Sequence, residues 1–142
     1  MRVFEEKNIR LNQQFKTKKE AIIQAGTVLV ENGYVDSSYI EDMLKREKEV
    51  STYIGNNVAI PHGIVKSVDK IHHSGISFLQ VPEGVSYEEG IAYLVIGIAG
   101  KNNEHLEILG KIANVCSDIN NVEMLRFAKD KHEIMKILKE VI

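Results

Sequence analysis

The stretch NNVAIPHGIV, Asn56 to Val65, ends a short apolar run in Pro-His-Gly. Proline cannot donate to a strand ladder, so the strand is expected to stop or lie at an edge at Pro61. His62 then emerges at the strand's end with a restrained backbone and an exposed ring, and Gly63 leaves room for a close approach. A second histidine, His105, falls in the first turn of a helix expected in NNEHLEILGKIANVCSD, where positions 105, 109, 112 and 116 share a face. If the strands ending at Ile60 and Ala99 run parallel, both rings reach one rim of the sheet, where ligands of open α/β sheets gather. A neutral imidazole beside a helix N-terminus suits phosphoryl acceptance. An ordinary histidine pKa of about 6.5 leaves most of the ring unprotonated at neutral pH. Helix amides favour the incoming anion, and the transfer itself asks mainly for positioning and charge stabilisation.

Each of these residues also has a plainer reading. Alone, His62 is more often a turn or core residue, and His105 a filler of the helix's first turn. Arg46, near the end of a helix expected in SSYIEDMLKREKE, reads first as an i,i+4 partner of Asp42. It matters to a site only if the fold brings it to the rim. Other patterns fail outright. GIAGKN has too few residues between its glycines for a P-loop, and Asn102 stands where a magnesium-binding hydroxyl is needed. No G-x-S-x-G or H-E-x-x-H occurs. His72 and His73 read as surface, His132 as solvated, and Cys116 as a core residue on an apolar stripe. A rival of another class is a zinc-binding domain or hydrolase with a His₂-carboxylate site from His62, His105 and Glu104 or Glu107, but no compact ligand motif supports it.

The elements that position these residues follow from pattern. NIRLNQQF reads as an opening strand or extended arm. TKKEAIIQAGTVLVENG reads as a helix, with Thr17 and Glu20 at capping-box spacing, a stripe of Ala21, Ile22, Ala25, Val28 and Leu29, and Gly33 as its stop. Ser38 and Glu41 suggest a second capping box, with Ile40, Met43 and Leu44 facing the core. NNVAIPHG and SGISFLQV supply short strands, with PEG as the turn after the latter. AYLVIGIAG does not alternate and is expected to be a central strand buried on both faces. Leu109, Ile112 and Cys116 form the stripe of the next helix, which has an asparagine cap. Two short helices follow, around NVEMLRFAK and DKHEIMKILKEVI, the last capped by Asp130 and Glu133. Helices, strands and helices around an apolar strand predict one α/β domain over residues 1–142, with helices on both faces of the sheet.

Composition narrows the class. Apolar residues make up 44% and charged residues 27% of 142, with a formal net charge of −2. That is a soluble globular profile, and the lack of a basic stretch argues against nucleic acid. The longest apolar run, IAYLVIGIAG, is too short to span a bilayer, so no membrane insertion is expected. Charges in MRVFEEKNIR argue against an export signal, and the lone Cys116 agrees with a reducing cytoplasm.

Three segments together carry a family resemblance. MLKREKEVSTYIGNNVAIPHG, QVPEGVSY and LVIGIAGKNNEHLEILGKIANV resemble, in order, the mannitol-type enzyme IIA component of the bacterial sugar phosphotransferase system. The resemblance runs from about Asn8 to the C-terminus. It implies a mixed five-stranded sheet with helices on both sides. It also implies a relay, in which the phosphocarrier protein HPr donates a phosphoryl group to Nε2 of His62. His62 then passes it to a cysteine of an enzyme IIB partner, during uptake of a sugar, by this resemblance mannitol. His105 matches the family's second histidine, which hydrogen-bonds the phosphoryl group, and Arg46 matches an arginine that balances charge. No metal or organic cofactor is implied. One departure is visible: Ile64 stands where the family's threonine is expected, so a hydroxyl is missing there. With no transmembrane or IIB portion before Ile142, a free-standing component with transient contacts and a modest apolar patch around His62 is expected. Rival readings are a fructose-type or nitrogen-related enzyme IIA, and a regulator that uses His62 phosphorylation only as a switch.

Overall fold

A computed structural model describes residues 1–139. The order of elements is β1 (Ile9–Arg10), α1 (Lys18–Glu31), α2 (Tyr39–Glu49), β2 (Tyr53–Gly55), β3 (Val58–Ala59), β4 (Gly75–Tyr87), β5 (Gly90–Ala99), α3 (Glu104–Cys116), α4 (Ile119–Arg126) and α5 (Lys131–Leu138). The end of the last expected helix, 140–142, lies outside the described residues. Five strands make one mixed sheet in the order β1-β4-β5-β3-β2. β5 is central, antiparallel to β4 and parallel to β3. The expected architecture is therefore found, including the buried, non-alternating central strand.

Alternation along β5 divides the core in two. Leu94, Ile96 and Ile98 pack with Ile108, Ile112, Val122, Leu125 and Ile134 of α3, α4 and α5. Val95 and Ala99 face Ala21, Ile22, Ala25 and Leu29 of α1 and Tyr39 and Met43 of α2. Each fully buried aliphatic side chain contributes about 1.5–3 kcal/mol, so both helical layers are pinned to the strand that ends at the site. Cys116 sits in the first of these clusters, as expected. Burial pushes its thiol up to about 11, and the group is inert core.

Local chemistry explains the helix boundaries. Thr17 accepts a hydrogen bond from Glu20 N–H at 3.2 Å, and Gly33 takes a left-handed φ of 82° beyond the end of α1. Asp130 caps α5 through Glu133 N–H at 2.9 Å. The second expected box is not formed. Ser38 makes no side-chain cap, and Asp36 accepts from both the N–H and the Oγ–H of Ser38 instead. Asn103 likewise makes no side-chain cap on α3. It and Asn102 both take left-handed φ values, 74° and 54°.

Two strand expectations are corrected. PEG is not a turn: β4 runs through it to Tyr87, and the register shifts between Gln80 and Val85. Pro82 and Gly84 there serve a bulge, which tolerates a missing donor and a positive φ. β2 has no counterpart among the strands read from pattern. It pairs antiparallel with β3 across the left-handed Asn56 and Asn57.

Candidate functional site

β3 and β5 run parallel, so Ile60 and Ala99 reach the same rim. Pro61 does not end the pairing. Its carbonyl accepts Ile98 N–H at 2.9 Å, and His62 bridges to Ile98. His62 thus leaves the sheet beside the end of β5, and its ring is half-buried rather than exposed. Ring Nδ1 lies 2.8 Å from the Ile60 carbonyl oxygen. A carbonyl only accepts, so Nδ1 carries the proton. In the neutral ring the lone pair is therefore on Nε2.

A cavity of about 620 Å³ opens at this rim. His62, His105 and Arg46 all line it, along with Tyr39, Ile64, Val65, Val68, Asn102, Asn103 and Leu106. The three residues singled out from sequence are brought together. His105 arrives because α3 starts immediately after β5 and opens on the cavity. Gly100 makes that turn possible. A Cβ there would overlap the backbone N and Cα of His105. Gly100→Ala is expected to destabilise the fold by about 1–3 kcal/mol and to displace His105, which thermal unfolding and the His105 ring signals in NMR would report.

Arg46 does not pair with Asp42. Asp42 is taken by Lys70 at 2.9 Å and by Ser67, while Arg46 donates from its guanidinium to the Val50 carbonyl at 2.6 Å and lines the cavity. Its neighbour Glu47 is buried and accepts from Thr52 N–H at 3.0 Å, which steadies the chain leading into β2. The expected apolar patch is present: Val65, Val68 and Leu106 are exposed at the cavity mouth.

Sequence reasoning missed Tyr39. Its hydroxyl donates to the Ile98 carbonyl and accepts from Gly63 N–H, both at 2.8 Å. Burial pushes its phenol up to about 12, so it remains a donor. The close approach expected at Gly63 is to this ring: an added Cβ would lie 2.6 Å from Tyr39 Cε1. The signal was available, since positions 39, 43 and 46 share one helical face. His72, His73 and His132 are exposed, as read from the sequence. Among the described residues no three His, Cys, Asp or Glu side chains gather as a metal ion requires.

Burial pushes the His62 imidazolium below its ordinary 6.5, and the nearby Arg46 guanidinium and His105 ring push the same way, against the Ile60 carbonyl and the Glu47 carboxylate. Protonation removes the Nε2 lone pair. Phosphoryl acceptance is therefore expected to hold at neutral pH and to fall on acidification with a midpoint below 6.5. A rate profile with its acid limb above that value would contradict this.

A family model described as "Phosphoenolpyruvate-dependent sugar phosphotransferase system, EIIA 2" matches residues 2–141. The chain belongs to this EIIA family. The relatives of this EIIA protein agree over full length. A protein of Geobacillus stearothermophilus named mannitol-specific phosphotransferase enzyme IIA component is 52% identical over 142 residues, covering 99% of this chain and 98% of the relative. The crystal structure of IIA mannitol from Escherichia coli matches with a TM-score of 0.89 at 40% identity, over 95% of this chain and 98% of that one. A chain from the Escherichia coli complex of enzyme IIAMTL with phosphorylated enzyme IIBMTL matches with a TM-score of 0.91 at 39% identity, over 96% of this chain and 97% of that one. The EIIA protein is thus a component of a sugar phosphotransferase system.

Proposed function

We propose that this EIIA protein carries a phosphoryl group on Nε2 of His62, taking it from phospho-HPr and giving it to a cysteine of an enzyme IIB, in the cytoplasmic uptake of mannitol. The observation that carries this reading is the Nδ1–H bond of His62 to the Ile60 carbonyl, which leaves Nε2 as a fixed nucleophile at the cavity. His105 hydrogen-bonds the phosphoryl oxygens, and Arg46 balances their charge. The attacking nitrogen forms a bond to phosphorus as the donor imidazole of HPr leaves. The reverse sequence, with the IIB thiolate attacking, discharges the carrier.

A relay intermediate must be held without being trapped. The cavity combines one guanidinium with apolar Ile64, Val65 and Leu106, so the charge stabilisation is modest and transfer onward stays feasible. The exposed Val65, Val68 and Leu106 suit brief docking of a partner around the ring. Similarity to proteins named mannitol-specific supports the sugar assignment over the fructose-type and nitrogen-related readings. The test is onward transfer. Phosphorylated chain should discharge to a mannitol-type IIB faster than to a fructose-type IIB. Equal or inverted rates would remove the mannitol assignment, and no discharge to either would favour the switch-only reading.

A further inference from the structure

Beyond His62 the chain makes a short 3-10 helix, Val65–Lys70, whose apolar Val65 and Val68 are exposed. Val65 is 95% exposed and Val68 50%. Such a turn cannot be held by its own apolar burial. What holds it is α2. Ser67 is 1% exposed; its Oγ accepts Ile64 N–H at 2.9 Å and donates to Asp42 Oδ2 at 2.8 Å. Lys70 Nζ lies 2.9 Å from the same Oδ2. One helical turn earlier, Tyr39 accepts Gly63 N–H. The two N–H groups that follow His62 are therefore both fixed to α2, one directly and one through Ser67.

Asp42 is 3% exposed, and a buried carboxylate is costly unless its oxygens are satisfied. Here Lys70 and Ser67 satisfy one of them with charge-assisted bonds. The same helix carries Arg46 one turn further on. One rigid element thus sets both the cation of the cavity and the turn at its mouth. Ile64 has no hydroxyl with which to brace its own backbone, and Ser67 supplies that oxygen from three residues along.

We propose that Asp42 is a positioning residue for partner docking: through Ser67 and Lys70 it fixes the Val65–Val68 face against which phospho-HPr seats. This rests on the relay reading above. Asp42 touches no reacting atom, so its loss is expected in binding rather than in the transfer step.

The experiment is steady-state phosphorylation of the full chain at varied phospho-HPr, comparing the native protein with Ser67→Ala, Asp42→Asn and Lys70→Met. Freeing the Ile64 N–H in Ser67→Ala is expected to raise KM for phospho-HPr about fivefold, with kcat changed less than about twofold. Asp42→Asn and Lys70→Met both remove the ion pair and are expected to raise KM as well, Lys70→Met the more, because it leaves the buried carboxylate without its cation. Thermal unfolding and amide NMR spectra establish that each variant is folded. Should Ser67→Ala fail to fold, Lys70→Met decides, since the Lys70 side chain is 34% exposed and its replacement leaves the core intact. Unchanged KM in folded variants, or a fall in kcat at constant KM, would overturn the proposal. A native chain that takes no phosphate from phospho-HPr would instead overturn the relay reading itself.

Discussion

His62→Ala is expected to take up no phosphoryl group from phospho-HPr, a loss of at least about 10⁴-fold in rate. The reasoning is geometric. The proposed relay needs a nucleophile with an unprotonated nitrogen, held where an incoming phosphorus can meet it. The His62 ring is locked, because its Nδ1–H is bound by the carbonyl two residues back. The bond forms because Pro61 lets the chain turn out of the sheet while its own carbonyl stays paired with Ile98. The substitution should leave the fold intact, since the ring is half-buried at the rim and lies outside both apolar clusters. Intact-protein mass spectrometry after incubation with phosphoenolpyruvate, enzyme I and HPr gives the answer. Phosphate uptake by folded His62→Ala at a rate near that of the native chain would place the acceptor elsewhere, with His105 the first alternative.

His105→Ala should behave differently. Phosphorylation should persist at His62, but transfer in either direction should slow by about 10²–10³-fold, the scale of losing one preorganised donor to a developing oxyanion. His105 reaches the cavity from the first turn of α3, so in the proposed relay its ring and the helix N-terminus would act on the same anion. The loss should appear in kcat, which separates it from the docking variants above. His105→Gln, which keeps a donor at similar reach, should recover part of the rate. Total loss of labelling in a folded His105→Ala would make His105 the acceptor. A rate within twofold of native would remove it from the chemistry.

The sheet and its helical layers were legible where periodicity was strong. The Ala21–Leu29 stripe and the apolar AYLVIGIAG run could be placed because each obeys one period over several turns or residues. β2 could not be read, since three residues with no fully buried side chain give no alternation to detect. β4 was cut short because Pro82 and Gly84 look like a turn, and only the partner strand shows that they make a bulge. Capping was misread at Ser38 because Asp36, two residues earlier, competes for the same N–H. His62 and His105 could be placed at one rim through strand-end and helix-start logic, which needs only a parallel pair. Arg46 was different. Its local pairing with Asp42 is plausible from spacing alone, and only the fold shows Asp42 bound to Lys70 and Arg46 left for the cavity. The paired asparagines at 56–57 and 102–103 were also unread as left-handed residues, although the first pair precedes the strand that leads to His62 and the second the helix that carries His105.

The most direct test is ring nitrogen NMR of the ¹⁵N-histidine-labelled chain before and after phosphorylation. The unphosphorylated His62 ring should show its proton on Nδ1. On phosphorylation its Nε2 should acquire coupling to phosphorus, while the His105 ring shifts without coupling. Coupling at Nδ1 of His62, or at either nitrogen of His105, would contradict the proposed carrier.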